Sequence, residues 1–193
     1  MYRIGSSDFQ EGYSFEEYLS NIAINKDVFK KYYNRNLLAG FKKEKEKAEQ
    51  LIELLKQGPG CKILAIVEDW CPDVYCTLGF WVRLVEFLEW EIRIFKRDSG
   101  PDLIAHFLKD GKAKSIPVYA FYTGDLEPLF WFSGRHAAGA QWKKERLKGK
   151  NHDDLSPREK VLFRRELSAY YEESLFEETA IDLLEKLINS RNL

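Results

Sequence analysis

The chain has 193 residues, of which 45% are hydrophobic and 32% charged, a balance typical of one globular core with additions. Its 31 acidic and 30 basic residues nearly cancel, so no global field favours nucleic acid or anionic lipid as a partner. A polar N-terminus without a signal-peptide core, and the lack of any apolar run of roughly 18 residues, lead us to expect a cytoplasmic protein with no membrane contact.

The first part of the chain is predicted to be helical. Ser14 followed by Glu17 has the form of a capping box and predicts a helix over residues 15–24. Apolar residues recur at near-helical spacing over residues 27–57, which predicts one long helix bent near Gly40. The chain therefore begins with helices that precede its first strand.

Strands and helices alternate in the middle of the chain. The continuous apolar run 62–67 predicts a strand buried on both faces, and a helix follows over 72–89. The alternating run 91–96 predicts a half-buried strand, and a short helix over 102–108 opens with Gly100–Pro101. This order is that of a parallel strand pair joined by a helix.

The rest of the chain supplies a hairpin and covering helices. Residues 118–122 and 127–132 predict an antiparallel hairpin, followed by helices over 137–148 and 156–189. Two parallel strands, a hairpin and covering helices predict an α/β sandwich with one central mixed sheet flanked by helices.

We expect three segments along the chain. Residues 1–57 would form an N-terminal helical extension packed on the domain, 58–150 the α/β core, and 151–193 a C-terminal helix covering the sheet. The sequence contains no internal repeat to suggest a different division.

Cys71 lies where a predicted buried strand ends and a helix begins. A thiol at a helix N-terminus faces unpaired backbone N–H groups and the positive end of the helix dipole, which lower its pKa. Pro72 suits the first helical turn, where its missing N–H would have no partner in any case. The position therefore predicts a reactive Cys71, with a plain buried cysteine as the other interpretation.

Acidic residues surround Cys71. Asp73 would be stabilised by the helix N-terminus while raising the pKa of the Cys71 thiol, so two effects on that thiol oppose each other. The sequence leaves open whether Asp73 is a general base or a favourable first-turn acid. Glu68 and Asp69 are either proton-transfer groups or polar residues at the strand end.

Two short motifs resemble the thioredoxin superfamily. They are Trp70-Cys71-Pro72 after a buried strand and Ser115-Ile116-Pro117-Val118 one helix–strand unit later. The resemblance implies a thioredoxin-like sandwich with Cys71 as its nucleophile. It also implies a substrate cleft formed by Trp70, Pro72 and a loop in which Ile116 precedes a cis-proline, Pro117.

The sequence is most similar to a poorly characterised bacterial thioredoxin-like subfamily with a Glu-Asp-Trp-Cys-Gly-Asp motif. Here Glu68-Asp69-Trp70-Cys71-Pro72-Asp73 replaces the glycine by proline. Arg97-Asp98 and Pro101-Asp102-Leu103 match the pattern after the next strand, and Trp131 to His136 loosely matches a Trp-Gly-Pro-Arg-Pro element. The resemblance covers about 60–150.

The sequence departs from a dithiol thioredoxin at the resolving position. Val74 stands three residues after Cys71, where the second cysteine of a CxxC motif would be. Cys76 lies about 7.5 Å further along a helix, too far for a disulfide unless the first turn opens. Ala65 stands where many thioredoxins bury a proton-accepting Asp. Cys61, at the other end of the strand, is expected to be structural.

The remaining site predictions concern charge and metal. Arg97 and Arg135 could form an anion-binding edge near Cys71, suited to the carboxylates of glutathione or bacillithiol. Three cysteines at irregular spacing make neither a disulfide framework nor a zinc motif, so we expect no metal and no cofactor.

The leading hypothesis is a thioredoxin-like thiol redox protein. Cys71 would attack a protein disulfide, a low-molecular-weight thiol adduct or a peroxide, with an external thiol or Cys76 as the resolving group. The alternative is a redox-inactive binding module that docks a peptide or partner in the Trp70/Pro117 cleft, and a Cys71 pKa at or above about 8.5 would favour it. A third reading is a scaffold that dimerises through its N-terminal helices; the oligomeric state stays open.

Overall fold

The computed structural model describes residues 1–98 and 102–191. Helices come first, then a sheet interleaved with helices, and then a helical C-terminal region. The elements are α1 (Ser6–Gln10), α2 (Phe15–Asn21), α3 (Lys26–Tyr33), α4 (Lys45–Gln57), β1 (Cys61–Val67), α5 (Pro72–Tyr75), α6 (Leu78–Phe87), β2 (Glu91–Lys96), β3 (Val118–Thr123), β4 (Pro128–Ser133), α7 (Ala137–Leu147), α8 (Pro157–Tyr170) and α9 (Phe176–Ser190). Short 3₁₀ turns span Leu103–His106 and His152–Asp154, and a π-helical turn, Tyr171–Leu175, joins α8 to α9.

A four-stranded mixed sheet in the order β2-β1-β3-β4 forms the centre of the molecule. β1 runs parallel to β2 and antiparallel to β3, which pairs antiparallel with β4. Residues 63–67 of β1 are buried, as the uninterrupted apolar run requires of a strand covered on both faces. The predicted α/β sandwich with a central mixed sheet is confirmed.

The predicted helix over 27–57 is wrong, because α3 and α4 are separate helices. The chain between them, residues 34–44, is irregular and packs inward through Phe41, whose ring meets Phe80 and Phe176 edge-on. Gly40 lies directly against the Phe176 ring, where a Cβ would overlap it. Apolar residues at near-helical spacing thus reflect contact with the core here rather than a helix.

The predicted helix over 72–89 is also divided, into the single turn α5 and the longer α6. Thr77 stands at the break, where its hydroxyl donates to the Asp73 carbonyl at 2.6 Å and hydrogen-bonds the Tyr119 hydroxyl at 2.8 Å. These contacts give the backbone an alternative to a continuous helix. Cys71 therefore caps a helix of only four residues.

The other predicted elements lie close to their expected positions. The Ser14–Glu17 capping box begins α2, and the hairpin and α7 form as predicted. The single helix predicted over 156–189 is interrupted by the π-helical turn, which divides it into α8 and α9. The short helix expected over 102–108 is the 3₁₀ turn, and its expected opening at Gly100–Pro101 lies outside the described residues. In the described part of the chain, no helix is long and apolar enough to cross a membrane.

Gly79 lets α6 approach the backbone of α3. A Cβ added there would lie 2.7 Å from the Tyr33 nitrogen and 2.9 Å from the Tyr32 carbonyl carbon, and backbone cannot move aside as a side chain can. We expect Gly79→Ala to lower the free energy of unfolding by about 1–3 kcal/mol, as overpacking does elsewhere. Urea denaturation would measure this change in the free energy of unfolding. The matched variant Gly124→Ala, whose added Cβ would meet only ordinary contacts, should change stability little; equal effects would contradict the packing argument.

Candidate functional site

Cys71 lies between the end of β1 and the loop before β3. It is the N-cap of α5, and Pro72 occupies the first helical position as predicted. The Cys71 sulfur lies 3.9 Å from the Ile116 carbonyl oxygen, and the Ile116–Pro117 peptide bond is cis. The structure therefore brings together Cys71, Pro72, Ile116 and Pro117 at one end of the sheet.

The opposing effects on the Cys71 thiol can now be compared. Burial raises its pKa most and the Asp73 carboxylate raises it further, to about 12, while the backbone N–H groups of Val74 and Asp73 lower it. The residue is only 5% exposed, and a helix of four residues contributes few aligned peptide dipoles. The thiol is therefore protonated at neutral pH, although the N–H groups that would stabilise its thiolate are in place.

Asp73 forms a buried ion pair with Arg135. Arg135 donates from Nε to Oδ1 at 2.7 Å and from Nη2 to Oδ2 at 2.6 Å, and the Tyr171 hydroxyl donates to Oδ1 at 2.5 Å. The pair joins α5, the loop after β4 and the π-helical turn. Three donors already occupy the oxygens of this carboxylate, which favours a fixed hydrogen-bonding role for Asp73 over that of a general base.

Arg97 and Trp70 lie on the outer side of the site. The Arg97 guanidinium forms two hydrogen bonds to Asp98, at 2.6 and 2.9 Å, and lies 5.0 Å from the centre of the Trp70 ring. Trp70 is 41% exposed. Since Arg97 pairs with Asp98 and Arg135 with Asp73, neither arginine forms the open anion-binding edge expected from the sequence.

Glu68 and Asp69 bind backbone N–H groups of neighbouring segments, and this contact favours a structural role over proton transfer to or from the thiol. Asp69 accepts hydrogen bonds from the backbone N–H groups of Ala23 and Ile24, and Glu68 accepts one from that of Asp98. These contacts fix the α2–α3 connection and the end of β2 beside the site. They favour the hypothesis that both acids are polar residues at the strand end and not proton-transfer groups.

Cys76 faces α3, not the cis-proline loop. Its sulfur lies 3.5 Å from the Tyr32 hydroxyl, and burial raises the pKa of its thiol to about 12. Cys61 begins β1, and burial raises the pKa of its thiol to about 11. Cys61, Cys71 and Cys76 are all free thiols, and Val74 is fully buried at the usual resolving position.

Three tyrosines lie near the thiol although no sequence motif predicts their position there. Tyr171 reaches Asp73 from a π-helical turn far along the chain, and Tyr119 pairs across the sheet with Ala65, where many thioredoxins have an acid. The buried Tyr18 hydroxyl has no hydrogen-bond partner among the described residues, and burial, with Asp69 and Glu68, raises its pKa. Contacts of this kind join segments that are distant in sequence, so no local motif could have predicted them.

The central mixed sheet, the cysteine at the end of β1 and the facing cis-proline define a protein of the thioredoxin fold. A thioredoxin family profile matches residues 12–146, more than half of the chain, so the chain belongs to the thioredoxin family. No curated protein matches it in sequence.

Two solved structures share this fold. A Pseudomonas aeruginosa protein of unknown function aligns over 97% of this chain and 99% of its own, with a TM-score of 0.61 and 16% identity. An HIV epitope scaffold aligns over 94% of this chain and 95% of its own, with a TM-score of 0.57 and 17% identity. At such low identity these likenesses establish the fold alone.

The carboxylate of Asp73 should contribute to the raised Cys71 pKa, after burial. We expect Asp73→Asn to lower that pKa by about one unit or more. The substitution removes the negative charge that raises the pKa, while the Arg135 cation, which lowers it, remains. Leaving that cation buried without its partner should also lower the free energy of unfolding by about 3 kcal/mol. Thiolate absorbance against pH and urea denaturation would measure the two effects.

The control variant for this test is Glu172→Gln, which neutralises an exposed carboxylate on the π-helical turn. It should leave the Cys71 pKa unchanged. An unchanged Cys71 pKa in Asp73→Asn would show that the carboxylate does not act on the thiol.

Proposed function

We propose that this protein is a thiol redox protein of the thioredoxin fold that uses Cys71 as its single nucleophile. The observation that carries the proposal is the position of the Cys71 sulfur, at the N-cap of α5 and 3.9 Å from the carbonyl oxygen of the residue before the cis-proline. This position combines N–H groups that favour a thiolate with the adjacent cis-proline loop, residues 115–117.

The chemistry requires one thiolate and one external thiol. The Cys71 thiolate attacks a sulfur of a protein disulfide or low-molecular-weight disulfide, whose S–S bond breaks, and the departing thiolate takes up a proton. A second, low-molecular-weight thiolate then attacks the mixed disulfide and releases Cys71. With a peroxide, the thiolate instead takes one oxygen to give sulfenic acid, and the remaining oxygen leaves as water or an alcohol.

The surrounding residues take distinct parts in this scheme. The backbone N–H groups of Asp73 and Val74 stabilise the thiolate, and Arg135 offsets the charge of Asp73. Trp70 offers an exposed apolar surface next to Cys71, and the Ile116 carbonyl oxygen lies 3.9 Å from the sulfur. Because burial is the largest cause of the high Cys71 pKa, opening of the first turn of α5 would lower that pKa.

Three further expectations belong to this proposal. We assign the chain to the bacterial subfamily with the Glu-Asp-Trp-Cys-x-Asp motif, and to the cytoplasm, where free thiols persist. We also take residues 58–150 as the redox unit, with 1–57 and 151–193 as packed additions.

A redox-inactive binding module is the second candidate, and the Cys71 pKa of about 12 favours it. An open groove of about 450 Å³ lies beside Trp70, where exposed Ile24 and Val161 meet Arg164 and Arg165. A peptide docked there would contact Trp70 without any reaction at the sulfur.

Mass spectrometry separates the two candidates. After treatment with oxidised glutathione or dilute peroxide, we expect one glutathione adduct or one added oxygen per chain, because Cys71 alone combines N–H donors with a substrate cleft. Cys71→Ser should abolish the adduct, and the matched variant Cys76→Ser should retain it. No adduct at Cys71 even after long treatment at raised pH, where part of the thiol is ionised, would favour the binding module.

The alkylation rate of Cys71 should depend on pH without a plateau near the ordinary thiol pKa. In a Cys61→Ser/Cys76→Ser variant, the iodoacetamide rate should rise about tenfold per pH unit from neutrality to beyond pH 10, because only the thiolate reacts and its pKa is about 12. Mass spectrometry of samples quenched at successive times would measure this rate. A plateau near pH 8.5 would mean that the thiol is not held in its protonated form by burial and Asp73.

A further inference from the structure

A second cavity, of about 210 Å³, lies away from Cys71. Its walls come from α3, the irregular residues 34–44, α6, the π-helical turn and the start of α9, and Cys71 does not line it. The cavity thus opens among the helical parts of the molecule, and no strand residue is among the described residues that line it.

The inner wall of this cavity is aromatic. Tyr32, Phe80, Tyr171 and Phe176 line it, and the Phe80 and Phe176 rings meet edge-on with centroids 5.2 Å apart. An engineered cavity of about 150 Å³ in another protein accommodates benzene. A volume of 210 Å³ therefore suits a single ring with a short side chain.

The rim of the cavity carries an excess of positive charge. Arg35, Lys42 and Arg83 line it together with one acid, Glu172. Arg35 pairs with Glu172 and Arg83 with Glu86, at 3.0 and 2.7 Å. Lys42 has no acidic partner within 4 Å in the described part of the chain. The rim thus presents a cation to an anionic group.

Local contacts hold the walls in place. The Arg35 guanidinium lies 4.3 Å from the Tyr32 ring centre, and the Tyr32 hydroxyl donates to Glu172 at 3.1 Å. The π-helical turn that supplies Tyr171 and Glu172 interrupts a long helix, a feature often found at functional sites. Several independent contacts thus shape the cavity.

We propose that this cavity binds a small aromatic carboxylate, with its ring among Phe80, Tyr171 and Phe176 and its carboxylate at Lys42. The binding site does not depend on the redox chemistry of Cys71. The Tyr171 ring is one wall of the cavity while its hydroxyl donates to Asp73, so an occupant that shifts Tyr171 also acts on the charge beside Cys71.

Phenylacetate is the probe, and its neutral counterpart 2-phenylethanol is the comparison. Amide NMR titration of the full chain should give a Kd about tenfold lower for phenylacetate, because one charge-assisted hydrogen bond is added. Lys42→Gln should remove that preference. Lys43→Gln, which changes the neighbouring exposed lysine outside this cavity, should keep it. Shifted signals should cluster at the residues that line the cavity.

A second variant tests the cavity itself. Ala39→Phe places a ring at the exposed edge of the cavity and should weaken phenylacetate binding about tenfold or more, with thermal unfolding as the check on folding. The proposal fails if phenylacetate does not bind, if it binds no more tightly than 2-phenylethanol, or if binding survives both Lys42→Gln and Ala39→Phe. Failure here would leave the glutathione adduct at Cys71 unaffected, so the two proposals are judged separately.

Discussion

The buried ion pair between Asp73 and Arg135 is the contact on which the arrangement around Cys71 depends. It fixes the single turn α5 against the loop after β4, and Tyr171 adds the π-helical turn to the same carboxylate. Removing two charges from water is costly, and the three hydrogen bonds to the Asp73 oxygens offset part of that cost. Loss of Asp73 would leave the Arg135 charge buried and remove the contacts that join three segments far apart in sequence, whereas, among the described residues, loss of Arg135 would leave Asp73 with the Tyr171 hydrogen bond alone.

The same pair sets the electrostatics of the thiol. A carboxylate near Cys71 opposes ionisation of the thiol, and the arginine that holds the carboxylate partly offsets this effect. Burial outweighs both, so the site combines the geometry of a thioredoxin nucleophile with the pKa of an inert thiol. In this protein, reactivity would be governed by how often the sulfur becomes exposed rather than by the helix N-terminus alone.

The helices outside the sheet do more than cover it. The α2–α3 connection is bound by Asp69, the π-helical turn supplies Tyr171, and residues 34–44 form one wall of the second cavity. A side chain shared between the cavity and Asp73 gives an occupant of the cavity a physical route to the thiol. That route passes through one hydrogen bond, from the Tyr171 hydroxyl, and not through a rearrangement of the sheet.

The sequence by itself determined the mixed sheet, the hairpin, the capped helices and the place of Cys71 between β1 and a helix, because these follow from local periodicity, caps and turns. It did not determine the breaks at Thr77 and at residues 34–44, since apolar spacing does not distinguish a helix from an irregular segment packed on the core. Only the tertiary structure decided that Arg135 and Tyr171 meet at Asp73, and that burial controls the Cys71 pKa. Both depend on contacts between segments that no local pattern connects.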